Sequence, residues 1–118
     1  MSLHIGHIEI FVKEPMKAKD FYIDVLGFEL IEIQQDKVVW LKMGDRVILL
    51  RPGGNKVIAG TYQTTNQAFV LYSDDLDKSA AELKSRGLEF RGTDGSDRCL
   101  TFTDYDGNWF QLVNPDEH

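Results

Sequence analysis

The sequence is short of several features that mark particular classes of protein. Its single cysteine, Cys99, excludes an internal disulfide and a cysteine-rich zinc site, and we expect it to be buried in an apolar role. No apolar run approaches the roughly 20 residues of a membrane-spanning helix. The N-terminus has no basic region followed by an apolar stretch, as a secretion signal has. We therefore expect no membrane partner and a cytoplasmic location.

Basic residues are also scarce relative to acidic ones. Thirteen Lys and Arg residues stand against nineteen Asp and Glu residues, which gives a net charge of −6 without any cluster of basic residues. Because phosphate binding needs a basic face, we expect no nucleic-acid partner. A neutral or cationic small molecule fits this charge better.

The 118 residues form two copies of one pattern, a strand, a helix and three strands. In the first copy the pattern predicts strands at 7–12, about 28–34, 37–43 and 46–51, with a helix over 15–26. In the second it predicts strands at 67–73, about 88–91, 98–103 and 109–114, with a helix capped by Asp74 or Asp75 and ended by Gly87. We predict a single domain over 1–118, with module 1 at about 4–51, a linker at 52–66 and module 2 at about 67–115.

The last two strands are joined by a well-specified turn. Asp104 and Asp106 can accept hydrogen bonds from nearby backbone groups, and Gly107 and Asn108 tolerate positive φ. Alternation then places Phe110 and Leu112 in the core, and Trp109, Gln111 and Val113 on the other face. An amide among large apolar groups usually has a partner or a ligand.

A sheet made of such strands has one face covered by its helix and one face left open. The sequence therefore predicts an α+β fold of two paired βαβββ modules, whose curved, mostly antiparallel sheets surround a cavity. The side chains expected to point into it are His7, Glu9, Phe11, Leu49, Arg51, Trp109, Gln111 and Val113.

These residues allow more than one interpretation. His7 is either a partly buried histidine bonded to a neighbour, a ligand-binding residue or a metal ligand. Glu9 is either solvated at the cavity mouth, a catalytic acid or base beside His7, or a substitute metal ligand. Trp109 and Phe11 either pack in the core or form an aromatic wall for a flat or cationic ligand.

Several segments resemble the vicinal oxygen chelate superfamily, which includes glyoxalase I, bleomycin-resistance proteins and extradiol dioxygenases. The resemblance lies in the opening strand 7–12, in Phe21-Tyr22 and Leu26-Gly27-Phe28, in Asp74-Asp75-Leu76 with Arg86-Gly87, and in the closing segment 104–112. In the last of these, Tyr105 stands where the family usually has Pro, and Gln111 where it usually has Glu. The resemblance covers nearly the whole chain and implies the paired βαβββ fold.

The resemblance also implies a divalent metal site with four positions. His7 matches the first position, Leu49 falls at the second and Gln111 at the fourth. Ala68 falls at the third, although a shift of one residue would place Gln67 there. With Leu49 and Ala68 in place of the usual ligands, we expect either no cofactor or a weakly bound Zn, Ni, Mn or Fe ion, held by His7 and Gln111.

Three functions remain open from the sequence. The first is a protein that binds a small molecule through His7, Phe11, Arg51, Trp109 and Gln111, with an incomplete metal site. The second is a metal-dependent glyoxalase-type lyase or isomerase, or a dioxygenase-like enzyme, with rearranged ligands and Glu9 as the catalytic residue. The third is an interaction protein with a filled cavity. We expect a homodimer, because each module leaves a sheet face or edge uncovered.

Overall fold

The computed structural model describes residues 2–54 and 57–117 and divides the chain into two compact units, Met1–Asn55 and Lys56–His118. The first unit contains β1 Ile8–Val12, α1 Pro15–Asp20, a π-helix Phe21–Val25, β2 Glu29–Gln34, β3 Val38–Met43 and β4 Arg46–Pro52. The second contains a 3₁₀ helix Tyr62–Thr64, β5 Phe69–Tyr72, α2 Leu76–Ser85, β6 Thr93–Asp94, β7 Ser96–Thr103, β8 Trp109–Val113 and a 3₁₀ helix Pro115–Glu117. None of the helices in the described ranges has the length and apolar character needed to cross a membrane.

The sheet of the first unit has the strand order β1-β4-β3-β2. β1 runs parallel to β4, and the other pairs are antiparallel. Alternation buries Ile10, Val12, Val39 and Leu41 on one face, and α1 packs against β3 and β4. The opposite face carries the predicted site residues of this unit.

The helix predicted over 15–26 begins as expected at Pro15, but its second half is a π-helix. The Leu26 N–H donates to the Phe21 carbonyl at 3.1 Å, a bond that spans five residues instead of four. The adjacent rings of Phe21 and Tyr22 are both buried in this wider turn. A stretch of five residues is too short for the spacing of its apolar residues to distinguish a π-helix from an α-helix, so the sequence did not reveal the difference.

The sheet of the second unit has the order β5-β8-β7-β6, with β5 parallel to β8. Its core contains the stacked rings of Phe102 and Phe110, whose centroids lie 5.1 Å apart. Asp75, one of the two predicted caps, accepts a hydrogen bond from the Lys78 N–H at 3.1 Å and so begins α2. The predicted α+β fold of mostly antiparallel sheets is confirmed.

The strand predicted at 88–91 is wrong, since the second unit has only the two-residue strand β6 Thr93–Asp94 in this region. The Arg91 N–H still donates to the Thr101 carbonyl at 2.7 Å, so the segment lies beside β7. Gly92 follows with φ of 88°, a conformation that ends regular strand geometry. The rest of the pairing, between β6 and β7, is irregular in register.

Cys99 is buried in β7, as its predicted apolar role requires. Burial raises the pKa of its thiol, and the carboxylates of Asp94 and Glu117 raise it further. A thiol with a raised pKa is a weak nucleophile.

The hairpin turn between β7 and β8 forms as predicted. One carboxylate oxygen of Asp104 accepts hydrogen bonds from the Asp106 and Asn108 N–H groups, both at 2.9 Å. The Asn108 side chain donates to the other oxygen at 2.9 Å, and Gly107 has φ of 82°. This turn sets the phase of β8 and therefore the face on which Gln111 lies.

Candidate functional site

His7, Glu9 and Phe11 lie on one face of the first sheet, opposite the buried side chains of β1. The parallel pairing of β1 with β4 places Leu49 beside Glu9 and Arg51 beside Phe11. The structure thus brings together on one surface the five residues that the sequence assigned to the first unit's open face. We call this surface the first-unit face.

Glu9 lies at the centre of the first-unit face and bonds to two neighbours. One carboxylate oxygen accepts a hydrogen bond from an Arg51 guanidinium N–H at 2.8 Å, and the other lies 2.8 Å from His7 Nε2. The bonds from Arg51 and His7 lower the pKa of the Glu9 carboxyl. Glu9 is therefore held ionised, and a carboxylate with a lowered pKa is a weak proton acceptor.

Two aromatic rings contact the partners of Glu9. The His7 ring meets the Trp40 ring edge to face with centroids 4.7 Å apart, and the Arg51 guanidinium carbon lies 5.2 Å from the centre of the Phe11 ring. Trp40 was missed in the sequence analysis, although Val39 and Leu41 on either side alternate as core residues. That alternation, together with the pairing of Trp40 with Leu49, places the indole on the same surface.

The first-unit face is poor in metal ligands. Leu49, at the second family position, is an apolar side chain only 7% exposed, and the carboxylate of Glu9 is already bound by Arg51. Across residues 2–54 and 57–117, no three His, Cys, Asp or Glu side chains are arranged to hold a metal ion. Since protein metal sites generally use three or more such donors, this donor set does not fit a tightly held divalent ion.

Trp109 and Gln111 lie in the second unit, on the face of β8 opposite Phe110. The Gln111 amide Nε2 donates to the Tyr62 hydroxyl at 2.8 Å. Ala68 precedes β5 and stands two residues before Val70, which pairs with Gln111. Strand alternation therefore puts Ala68, rather than Gln67, in phase with Gln111.

The sequence left open whether Trp109 packs in the core or forms part of an aromatic wall, and in the structure its side chain is covered. It is only 2% exposed, its indole N–H donates to the Ala59 carbonyl at 2.9 Å, and the Tyr62 ring meets it edge to face at 6.2 Å. The Arg91 guanidinium lies 5.0 Å from its ring centre. Ala59 and Tyr62 belong to residues 57–64, which we call the cover segment.

Sequence analysis interpreted the cover segment as part of a linker and so missed Tyr62. The cover segment lies within residues 52–66, whose Pro, Gly, Asn and Thr residues are typical of loops, and no alternation there reveals which side chain turns toward the sheet. The signal in the sequence was a single aromatic residue, Tyr62, among the polar residues that follow Ala59. The cover segment also borders a pocket of about 450 Å³ in the second unit, between Ile58, Asn66, Phe69 and Trp109.

The architecture matches solved structures of proteins with several functions. A lactoylglutathione lyase from Agrobacterium tumefaciens is 17% identical, with a TM-score of 0.73 over 97% of this chain and 95% of that one. The fosfomycin resistance protein FosX from Mesorhizobium loti is 18% identical, with a TM-score of 0.74 over 96% and 92%. TnmS3, an antibiotic binding protein from Streptomyces sp. CB03234, is 27% identical, with a TM-score of 0.69 over 97% and 99%.

A search of the curated proteins finds no significant match. The family model described as the Glyoxalase/Bleomycin resistance protein/Dioxygenase superfamily matches residues 4–112, nearly the whole chain. This match agrees with the two βαβββ units and with the solved structures. The chain belongs to the glyoxalase/bleomycin resistance protein/dioxygenase superfamily.

Proposed function

We propose that this protein binds a small planar organic molecule, neutral or cationic, without a metal ion. The observation that carries the proposal is the first-unit face, where Arg51 neutralises Glu9 and the apolar side chain of Leu49 stands at one of the family's ligand positions. His7, Phe11 and Arg51 form the binding surface in the first unit. Trp109 and Gln111 belong to a second candidate site, within the second unit, where Tyr62 contacts both of them. The 27% identity with an antibiotic binding protein supports the same class of function.

The first-unit face offers the contacts that such a molecule needs. Phe11 and Trp40 present ring surface for stacking, and His7, Glu9 and Arg51 supply hydrogen-bonding groups at fixed positions. Because Glu9 and Arg51 offset each other's charge, the surface does not demand a strongly charged partner. The net charge of −6 disfavours an anionic ligand at long range.

The two tryptophans allow the proposal to be tested separately in each unit. Trp40 lies in the first unit and Trp109 in the second, and the chain has no other tryptophan. Trp109→Phe leaves Trp40 as the reporter, and Trp40→Phe leaves Trp109. Each protein is titrated with three compounds: bleomycin, a cationic phenanthridinium dye and an anionic naphthalenesulfonate dye. Bleomycin is chosen because the name of the family includes it.

We expect bleomycin or the cationic dye to change tryptophan emission saturably, with a Kd of about 10 μM or below, and the anionic dye to bind more weakly. Phe11→Ala should raise the Kd that Trp40 reports by about two- to fivefold, the change expected when one cation–π contact is lost. Arg46→Gln, on the same strand as Arg51 but highly exposed, is the matched control and should change nothing. The absence of saturable binding by all three compounds overturns the proposal.

One observation keeps an enzymatic alternative worth testing. The 2.8 Å contact between His7 Nε2 and Glu9 is the geometry of a proton-transferring pair. A glyoxalase-type enzyme that used it would lose turnover in Glu9→Gln, whereas a binding protein would keep its affinity within a few fold. The role of Glu9 as a catalytic residue stays a prediction.

A further inference from the structure

The cover segment places the phenol of Tyr62 against two side chains of β8. Its hydroxyl accepts a hydrogen bond from Gln111 Nε2 at 2.8 Å, and its ring meets the Trp109 ring edge to face, at 86° and 6.2 Å. Gln111 supplies the hydrogen bond to the oxygen, and Trp109 supplies the contact with the ring. A hydrogen bond to the oxygen and an edge-to-face contact with the ring are also the kinds of contact that hold a bound phenol in a protein.

Further bonds hold the cover segment in this position. The Ala59 carbonyl accepts the Trp109 indole N–H at 2.9 Å, which fixes the start of the segment on the sheet. The Gln63 amide donates to the Thr93 carbonyl at 3.0 Å and to Asp94 at 3.1 Å, which fixes its end beside β6. Thr61 and Thr64 cap the short helix that carries Tyr62 through a reciprocal pair of bonds. The phenol is therefore held at a defined place.

We infer that the Tyr62 phenol occupies a binding site for an aromatic ring that bears an oxygen substituent. The chain fills this site with its own side chain, and a ligand would enter by displacing Tyr62. The incoming oxygen would accept the hydrogen bond from Gln111, and the ring would take up the edge contact with Trp109. This inference rests on the proposed function, since it names the ligand chemistry of the second unit.

A hollow in which Gln111 does not recognise an oxygen predicts a different preference among ligands. If removal of the phenol left only an apolar hollow, toluene would enter it more readily than p-cresol, because burial of a hydroxyl without a partner is costly. If Gln111 donates to the entering oxygen, the order is reversed. A net hydrogen bond of this kind changes affinity by about two- to tenfold. The preference between these two compounds therefore shows whether Gln111 recognises the oxygen of an entering phenol. Saturable binding of p-cresol to the wild-type protein shows whether a phenol can displace Tyr62.

The test is chemical rescue of Tyr62→Ala, followed by ¹⁵N–¹H NMR and thermal unfolding. We expect p-cresol to shift the side-chain amide resonance of Gln111 and to raise the midpoint of unfolding, with an affinity at least about twofold tighter than that of toluene. In the double variant Tyr62→Ala with Gln111→Leu, p-cresol should lose this advantage. Wild-type protein should bind p-cresol more weakly than Tyr62→Ala, because its own phenol competes.

Should Tyr62→Ala fail to fold alone, its refolding yield in increasing p-cresol or toluene gives the same comparison. A lower half-maximal concentration for p-cresol supports the inference. Equal rescue by the two compounds, preference for toluene, or a p-cresol advantage that survives Gln111→Leu overturns it. The absence of saturable p-cresol binding by the wild-type protein also overturns it, since Tyr62 would then not be displaced. Binding that Trp40 reports takes place in the first unit. If only the inference about Tyr62 is wrong, this binding remains, whereas it is absent if the proposed function is wrong.

Discussion

The chemistry of Glu9 is decided by a partner that lies 42 residues away in the sequence, Arg51. Alternation placed both residues on the same predicted face, together with His7 and Phe11. Their direct bond could not be predicted, because it depends on the register of the parallel pair β1 and β4, which no local pattern specifies. The same limit applies to Gln111, whose face was predicted and whose partner Tyr62 was not.

The pairing of Glu9 makes a prediction about pH. The Glu9 pKa lies below its ordinary value of 4.5, mainly through the bond from Arg51. A lowered pKa in the folded protein stabilises it above about pH 4.5, and the stabilisation is lost as the pH falls through the folded pKa. Arg51→Gln should raise the Glu9 pKa toward 4.5, as measured by carboxyl ¹³C NMR.

The matched control for this prediction is Arg46→Gln, whose arginine is highly exposed and lies 4.0 Å from Asp45. The stability difference between wild type and Arg51→Gln should also be larger at pH 7 than at pH 3. An unchanged Glu9 titration in Arg51→Gln would contradict the interpretation that this bond controls the carboxyl.

A second prediction concerns metal binding. The wild-type protein should bind Ni²⁺ or Zn²⁺ no tighter than about 10 μM, because His7 and an ion-paired Glu9 do too little to replace the ion's hydration shell. Leu49→Glu adds a carboxylate directly beside Glu9 and should strengthen binding by about tenfold or more. Titration calorimetry measures both affinities.

The same substitution should destabilise the metal-free protein, because it buries a carboxylate near another one. Its unfolding midpoint should fall in chelator and recover when metal is added. His7→Ala in the Leu49→Glu background should remove the gain. Tight metal binding by wild type would show that ligands other than these hold the ion.

Helices and strands with a clear period were predicted close to their observed bounds, and the exceptions have physical causes. α2 was specified by its cap and its apolar stripe, and the hairpin before β8 by its turn residues. The π-helical turn after Asp20, the shortened β6 and the cover segment depend on packing and on single backbone bonds. Such features do not change the spacing of apolar residues along the sequence, so periodicity does not predict them.

The buried apolar residues of the helices give a prediction about the stability of the fold. Phe21→Ala and Leu83→Ala should each lower the free energy of unfolding by about 2–5 kcal/mol, because both side chains are buried and their removal leaves a cavity. Lys78→Ala, on the exposed side of α2, should cost less than about 0.5 kcal/mol. Urea unfolding measures all three. Losses for Phe21→Ala or Leu83→Ala as small as that of the control would mean that these helices do not pack as described.

Each unit has sheet edges that carry exposed apolar side chains. In β2, an irregularity between Leu30 and Glu32 leaves the adjacent residues Leu30 and Ile31 exposed at 47% and 48%. In β5, Val70 and Tyr72 are exposed on the outermost strand of the second sheet. Exposed apolar residues on strand edges are sites where a second chain can add. The repeat in the sequence predicted two such sheets, but it did not predict which edge strands carry exposed apolar residues.

We therefore predict a homodimer that buries at least one of these edges. Light scattering at micromolar concentration should give a particle of about twice the 13.5 kDa of the chain. Because charges introduced into an apolar interface are costly to bury, either Leu30→Glu with Ile31→Lys or Val70→Glu with Tyr72→Lys should reduce the particle to a single chain. Arg46→Glu, at an exposed position on β4, an inner strand of the first sheet, is the control and should leave the dimer intact. A wild-type particle of 13.5 kDa at all concentrations tested would contradict the prediction, and a dimer that survives both double substitutions would place the interface elsewhere.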